Sequence, residues 1–187
     1  MTRKFHNCNT TLYKDEDLIN ELLKNPRKTL SELAERLGTY RQRVWREIKK
    51  LEEEQVIWGY TVVIDEEKKG WKSFIILMKM EPISEKLVDT LIKRVVSQKA
   101  AKLKARVIDS FFMNGVYDWI IIFAADSWAT ARKYYDTIRK EYKEFLTEKP
   151  ELIDIMFSIT RYGKINPNIE KIRNFIPPEY QNMKNNK

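Results

Sequence analysis

The chain holds one cysteine and one histidine, Cys8 and His6, both within its first ten residues. A lone thiol cannot form an intramolecular disulfide, which fits a reducing compartment. A structural zinc site needs about four Cys or His ligands, so none is expected, and no other metal site is read from the sequence. The five glycines are isolated, so there is no glycine-rich loop to cradle a phosphate. With histidine confined to the N-terminal arm, no Ser–His or Cys–His partnership is available for nucleophilic catalysis. Asp109, Asp118 and Asp126 fall near expected strand ends, where aspartate more often caps or turns than acts as a general base. The expectation is a non-enzyme with no cofactor. The longest apolar runs, Phe74–Met78 and Trp119–Ala125, are far short of the ~20 residues that span a bilayer. The start, MTRKFHNCNTT, lacks the apolar core of a signal peptide. A cytoplasmic protein is expected. Scarce glycine with plentiful Lys, Glu and Ile is compatible with a thermophilic source.

What the chain does have is positive charge, unevenly placed. The formal net charge is +8 over 187 residues, a length that suits one or two small domains. A polyanionic partner is one reading of that charge and simple solubility the other. Its distribution is more telling. From Thr39 to Lys50 five cations (Arg41, Arg43, Arg46, Lys49, Lys50) face a single acid, Glu47.

The pattern around that segment is helix, turn, helix. Asp15–Leu23 reads as an amphipathic helix with Leu18, Ile19, Leu22 and Leu23 on its apolar face. Thr29 and Glu32 spell a T-x-x-E capping box for a second helix, whose buried stripe is Leu30, Leu33, Ala34 and Leu37. Gly38 follows where a helix end and tight turn favour positive φ. A third helix spans Tyr40 to Glu54, with Val44, Ile48 and Leu51 at i, i+4, i+7 facing the core. Val56–Ile64 is rich in β-formers and reads as a wing, with its turn at Gly59. This is the layout of a winged helix-turn-helix, which places its recognition helix in the DNA major groove. Arg41, Gln42 and Arg43 occupy the first turn of that helix, where side chains reach base edges: Arg suits guanine and Gln adenine. Arg46, Lys49 and Lys50 lie further along, at phosphate reach, and the Tyr40 hydroxyl could donate to a phosphate. Arg3 and Lys4 could form a minor-groove arm, although an undecorated terminus is the plainer reading.

After a charged linker the rhythm changes. Lys72–Met80 reads as a strand and Ser84–Val96 as a helix with Leu87, Val88, Leu91, Ile92 and Val95 inward. Val107–Met113 and Tyr117–Ala124 read as strands about a turn at Asn114-Gly115. A long helix runs from Ser127 to about Leu146, carried by Trp128, Ala131, Tyr135, Ile138, Tyr142 and Phe145. Leu152–Thr160 reads as a last strand. The order β-α-β-β-α-β is the ferredoxin-like unit. The expected fold class is α+β: a flexible arm at 1–13, a winged helix-turn-helix at 14–65, a linker at 66–71, a βαββαβ domain at 72–164, and a basic tail at 165–187. A second basic stretch, Lys93, Arg94, Lys99, Lys102, Lys104 and Arg106, contains no acid and reads as a solvated loop.

Taken together, residues 13–164 resemble the Lrp/AsnC (feast/famine) family of bacterial and archaeal transcription regulators. The likeness rests on Asp15, Arg27, Leu33-Ala34, Leu37-Gly38, Val44, Arg46, Leu51-Glu52, Val56-Ile57 and Gly59-Tyr60. In the second half it rests on Asn114-Gly115-Val116-Tyr117-Asp118, similar to the family's G-x-Y-D turn. The resemblance implies double-stranded DNA as partner, a nucleoid-associated location, sheet-to-sheet homodimers that assemble as far as octamers, and a small-molecule effector. Gly115, Tyr117 and Asp118 would line the effector site, Asp118 facing an ammonium group. The chain departs from the family in four places. Tyr40 stands where a capping Ser is usual. Gln55 replaces a turn glycine, so the turn there must be made differently. Met156 and Ser158 occupy two usually polar effector positions, which favours an effector with an apolar part, or none. The tail beyond Lys164 is long. Two other readings stay open: a siroheme-decarboxylase-like enzyme, opposed by the absence of histidine from 66–160, and a chromatin-like binder with little sequence preference.

Overall fold

A computed structural model describes residues 12–97 and 99–178. The chain divides into two compact units between Val62 and Val63. The arm residues Arg3, Lys4, His6 and Cys8, and the last nine residues of the tail, lie outside the described residues.

The first unit is three helices: α1 (Leu12–Lys24), α2 (Leu30–Arg36) and α3 (Arg41–Glu53). Leu18, Leu22, Leu33, Ala34, Val44 and Leu51 are buried together, as the helical spacing predicts, except that Leu23 stands exposed. The capping box forms in full. Thr29 Oγ1 accepts the Glu32 N–H at 3.2 Å, and the Glu32 carboxylate accepts the Thr29 N–H at 2.7 Å. Those bonds to the charged form hold the Glu32 carboxyl below its ordinary range. Glu21 on α1 takes ammonium hydrogen bonds from Lys24 and Lys28, which pull its pKa down to about 2; Arg36 of α2 reaches the same carboxylate at 3.4 Å. The end of α2 is a Schellman turn: Gly38 is left-handed at φ 60, and Thr39 N–H reaches Ala34 O at 2.9 Å.

The end of α3 repeats that turn, with Gln55 at φ 57 and Val56 N–H to Leu51 O at 2.9 Å. The expectation that Gln55 forces a different turn is therefore wrong. The same left-handed turn is made, with a side chain in a conformation that glycine tolerates better. The expected wing strand is also absent. No strand is assigned over 56–64, and Gly59 lacks a positive φ. Val56, Trp58, Tyr60 and Val62 are exposed, so these β-formers have no facing strand among the described residues to complete a ladder.

The second unit runs β1 (Lys72–Met78), α4 (Glu85–Val96), a short α5 (Lys99–Lys102), β2 (Ala105–Phe112), β3 (Trp119–Ala125), α6 (Trp128–Glu141) and β4 (Glu151–Asp154). The sheet order is β2-β3-β1-β4, antiparallel throughout. This is the βαββαβ arrangement with one extra helical turn. Alternate strand residues, among them Phe74, Ile76, Trp119, Ile121 and Phe123, pack under α6 with Tyr134, Tyr135, Ile138 and Tyr142.

Three details differ from expectation. α4 buries Leu87 and Arg94 but leaves Val88, Ile92 and Val95 exposed. The basic stretch is not simply a solvated loop. Arg94 pairs with Glu141, and Arg106, together with Arg161, holds the buried carboxylate of Glu66. β4 ends at Asp154 rather than Thr160, because the chain beyond it makes its own hairpin, β5 (Thr160–Arg161) with β6 (Lys164–Ile165). Tyr162 and Gly163 are both left-handed, at φ 47 and 71, as a type I′ turn requires. The Tyr162 hydroxyl lies 3.4 Å from Ile108 O and from Asp109 Oδ1, beside the bulge in β2. Asn166 closes the segment by donating to Ser158 O at 2.8 Å, and a 3-10 helix over Ile169–Phe175 follows. The start of the tail is thus ordered structure.

Candidate nucleic-acid interface

α3 is built to show one face. Val44 and Leu51 are buried and Ile48 packs beside them, so Gln42, Arg46, Lys49 and Lys50, half a turn away, project outward. Tyr40 is the N-cap, extended at φ −116, and its side chain caps nothing. A tyrosine hydroxyl is too far from its own backbone to cap the first turn, so among those N–H groups only Arg43's turns back, to Tyr40 O at 3.0 Å, and the turn keeps the positive end of the helix dipole. Instead Arg46 donates to the Tyr40 hydroxyl at 3.3 Å.

The cations differ in how they are held. Arg43 bonds Glu47 at 3.0 Å, Lys49 bonds Glu52 at 2.9 Å, and Lys50 sits 4.0 Å from Glu54. Arg41 and Gln42 are exposed, and neither side chain has a hydrogen-bond partner among the described residues. Exposed pairs of this kind are worth at most about 1 kcal/mol and exchange readily for a phosphate. The charge is also graded along the axis. Cations run from Arg41 to Lys50, while Glu52, Glu53 and Glu54 close the helix. The acidic end repels a polyanion, so α3 approaches one N-terminus first, which is how a recognition helix enters a groove.

Trp45 was not singled out from the sequence. It is exposed on the flank of α3, on the side of Glu52, whose carboxylate accepts the Tyr60 hydroxyl at 3.2 Å. The signal was available: Trp45 is one residue past the core position Val44, and so some 100° off the buried stripe.

Gly115, Tyr117 and Asp118 share the loop between β2 and β3, closed by Met113 N–H to Asp118 O at 2.7 Å. Tyr117 donates to Glu151 at 2.7 Å, a bond that, with burial, pushes its hydroxyl pKa up. One Asp118 oxygen accepts the Met80 N–H at 2.8 Å, which ties the loop to the end of β1. Ser158 lies elsewhere. Ile155 bonds the backbone of Ser73, so 155–158 flank the start of β1, roughly 17 Å of strand from Met78. Within one chain the loop and Ser158 do not meet. Ser158 and Met156 instead line a cavity of about 690 Å³, with Glu66, Trp71, Arg161 and Lys171.

Residues 12–57 match the family model for winged helix-turn-helix DNA-binding domains. An uncharacterised HTH-type transcriptional regulator of Pyrococcus abyssi is 36% identical over 88 residues, 47% of this chain and 58% of that protein. The chain thus aligns with little more than half of that relative's length. A second HTH-type regulator, of Pyrococcus furiosus, is 27% identical over 151 residues, 80% of this chain and 88% of its own. Among solved structures, PH0061 superposes with a TM-score of 0.67 at 24% identity, covering 86% of this chain and 98% of that one. An AsnC family transcriptional regulator from Agrobacterium tumefaciens gives a TM-score of 0.61 at 17% identity, covering 82% and 95%. Residues 12–57 therefore match a winged helix-turn-helix DNA-binding module, and over more than four fifths of its length the chain has the fold of the Lrp/AsnC-type transcription regulators.

Proposed function

We propose that this protein is a sequence-specific, non-enzymatic transcription regulator that binds DNA through α3 as a homodimer. The observation that carries the reading is the outward face of α3, where Arg41 and Gln42 are unengaged in the first turn and Arg46, Lys49 and Lys50 follow. In this arrangement Arg41 and Gln42 meet base edges and the later cations meet phosphates, with Arg43 able to join either set by releasing Glu47. The relatives' names as transcription regulators support it, as does the absence of histidine over 66–160, where siroheme chemistry would need it. Such a protein is nucleoid-associated.

The dimer reading rests on the open face of the sheet. Ile122 and Ile75 are paired across it, as are Ile120 and Leu77, with Phe111 and Ile153 as neighbours. α6 packs on the other face; Ile75 and Ile122 are half-buried beside the 155–162 segment, and the rest of the row, with Phe111 and Ile153 exposed, is offered to a second sheet. The effector position, by the same proposal, is the Gly115–Asp118 loop. A Cβ at Gly115 would meet nothing within 4 Å, so the fold itself does not require glycine there. A ligand lying against bare backbone would.

The test is titration of the full chain against its own promoter DNA and random DNA over a range of salt. Gln42→Ala is expected to lower specific binding about tenfold, by the loss of one bidentate base contact, and to leave random DNA unaffected. Lys50→Ala is expected to weaken both alike and lower the salt slope by about 1. Equal affinity for promoter and random DNA at physiological salt would replace specific regulation with the chromatin-like reading.

A further inference from the structure

Trp45 places a large apolar side chain on the open side of α3. It is 51% exposed, which leaves about 100 Å² of side chain facing solvent. Its ring makes no ring contact, cation–π contact or hydrogen bond among the described residues. The core of the first unit is complete without it, in Leu18, Leu22, Leu33, Ala34, Val44 and Leu51. Tryptophan is also only a middling helix former, so neither packing nor propensity calls for it at this position.

Its neighbours on the helix indicate what covers it. Arg41, Trp45 and Lys49 recur at i, i+4 and i+8, so the indole lies between two exposed cations in one row. Glu52, further along that flank, is already engaged by Lys49 and by the Tyr60 hydroxyl. A plate with cations before and behind it suits a polyanion better than an apolar protein surface. Trp45 stands roughly 80° round the helix from the line midway between Gln42 and Arg46. A helix about 10–12 Å across fills a major groove about 12 Å wide. With Gln42 and Arg46 toward the groove floor, a side chain on this flank meets the groove wall. The apolar group presented there is the C5-methyl of thymine, which projects into the groove beside its own strand's backbone.

We propose that Trp45 is a specificity-determining residue that packs its indole against thymine C5-methyl groups along one wall of the major groove, between Arg41 on the bases and Lys49 on the backbone. The inference rests on the reading of α3 as the recognition helix given above. It adds recognition of the methyl group itself, which a side chain that only hydrogen-bonds to base edges does not sense.

The full chain is titrated against its promoter DNA made with thymine or with deoxyuridine throughout, which removes the methyls and keeps every hydrogen-bonding edge. Wild type is expected to bind the deoxyuridine duplex about fourfold more weakly for each methyl contacted. Trp45→Ala, at an exposed position, is expected to keep its Tm, to lose a similar factor on the thymine duplex, and to bind both duplexes alike. Trp45→Leu, apolar but smaller, should keep part of the thymine preference. A wild type indifferent to the methyls, or a Trp45→Ala variant that retains the full wild-type preference, would overturn the proposal. Random-sequence duplexes with and without the methyls separate the two readings. Failure of specific regulation alone would leave promoter and random DNA bound equally, with thymine still preferred by wild type and not by Trp45→Ala. Failure of the Trp45 contact alone would leave the promoter preferred, with the same methyl dependence in both proteins.

Discussion

α3 and α4 are close in length and both amphipathic in sequence, yet they use their faces in opposite ways. α3 buries Val44 and Leu51 and exposes its cations. α4 buries a cation, Arg94, and exposes Val88, Ile92 and Val95. α3 has one apolar row, so its orientation is decided. α4 has two adjacent rows, 87/91/94 and 88/92/95, and either could be turned inward. The row that wins has two leucines at its start and an arginine whose aliphatic stem packs while its head finds a carboxylate. The losing row is left exposed.

The largest expected effect tests that difference directly. Leu51→Ala on α3 should destabilise the first unit by about 3 kcal/mol, the cost of an unfilled buried site, and weaken DNA binding with it. Ile92→Ala on α4 should change stability by less than about 0.5 kcal/mol, as for an exposed position. Urea denaturation of the full chain reads both. Comparable losses would mean that the outer row of α4 is packed.

The buried cation gives the next largest effect. Arg94 bonds Glu141 and lies over the rings of Tyr134 and Tyr142, 5.4 and 5.9 Å from their centroids. Burial pushes the hydroxyl pKa of both tyrosines up. Arg94 Nη2 and the Tyr142 hydroxyl are buried without a hydrogen-bond partner among the described residues. Arg94→Met keeps the stem but takes the guanidinium from the Glu141 carboxylate and from the two rings, at a cost of about 2 kcal/mol. Adding Glu141→Gln should recover part of it, so the pair costs less than the sum of the single variants. Additive losses would mean that Arg94 acts through packing alone.

What could be read in advance follows the same division. The three helices, the capping box and the β-α-β-β-α-β order were legible because each is set by residues near in sequence: Thr29 with Glu32, Val44 with Ile48 and Leu51. The α4 orientation was not, because it depends on Tyr134, Tyr142 and Glu141, more than thirty residues away. Nor was the end of β4, which is set by a hairpin that follows it and by Asn166. The strand expected within 56–64 was over-read. Val56–Ile64 has strand composition, but a strand needs a neighbour, and composition does not supply one. For the interface, the basic face of α3 was legible from spacing. Which of its cations already hold carboxylates was not, since that depends on rotamers as well as on the pattern.

The smallest effect compares the ends of α2 and α3, which make the same turn with different residues. Gly38 occupies the left-handed position after α2 and Gln55 the one after α3, at φ 60 and 57. A side chain in that region costs about 1 kcal/mol, and part of this returns as lower chain entropy when the unfolded state holds glutamine rather than glycine. Gln55→Gly should therefore stabilise the first unit by about 0.5 kcal/mol, and Gly38→Gln should destabilise it by a similar amount. Gln55 follows the last turn of α3, away from its cationic half, so DNA affinity and its salt slope should stay as they are in Gln55→Gly. Thermal unfolding alongside the DNA titration reads both quantities. A loss of stability in Gln55→Gly would mean that the glutamine side chain makes a contact worth more than the strain of its backbone.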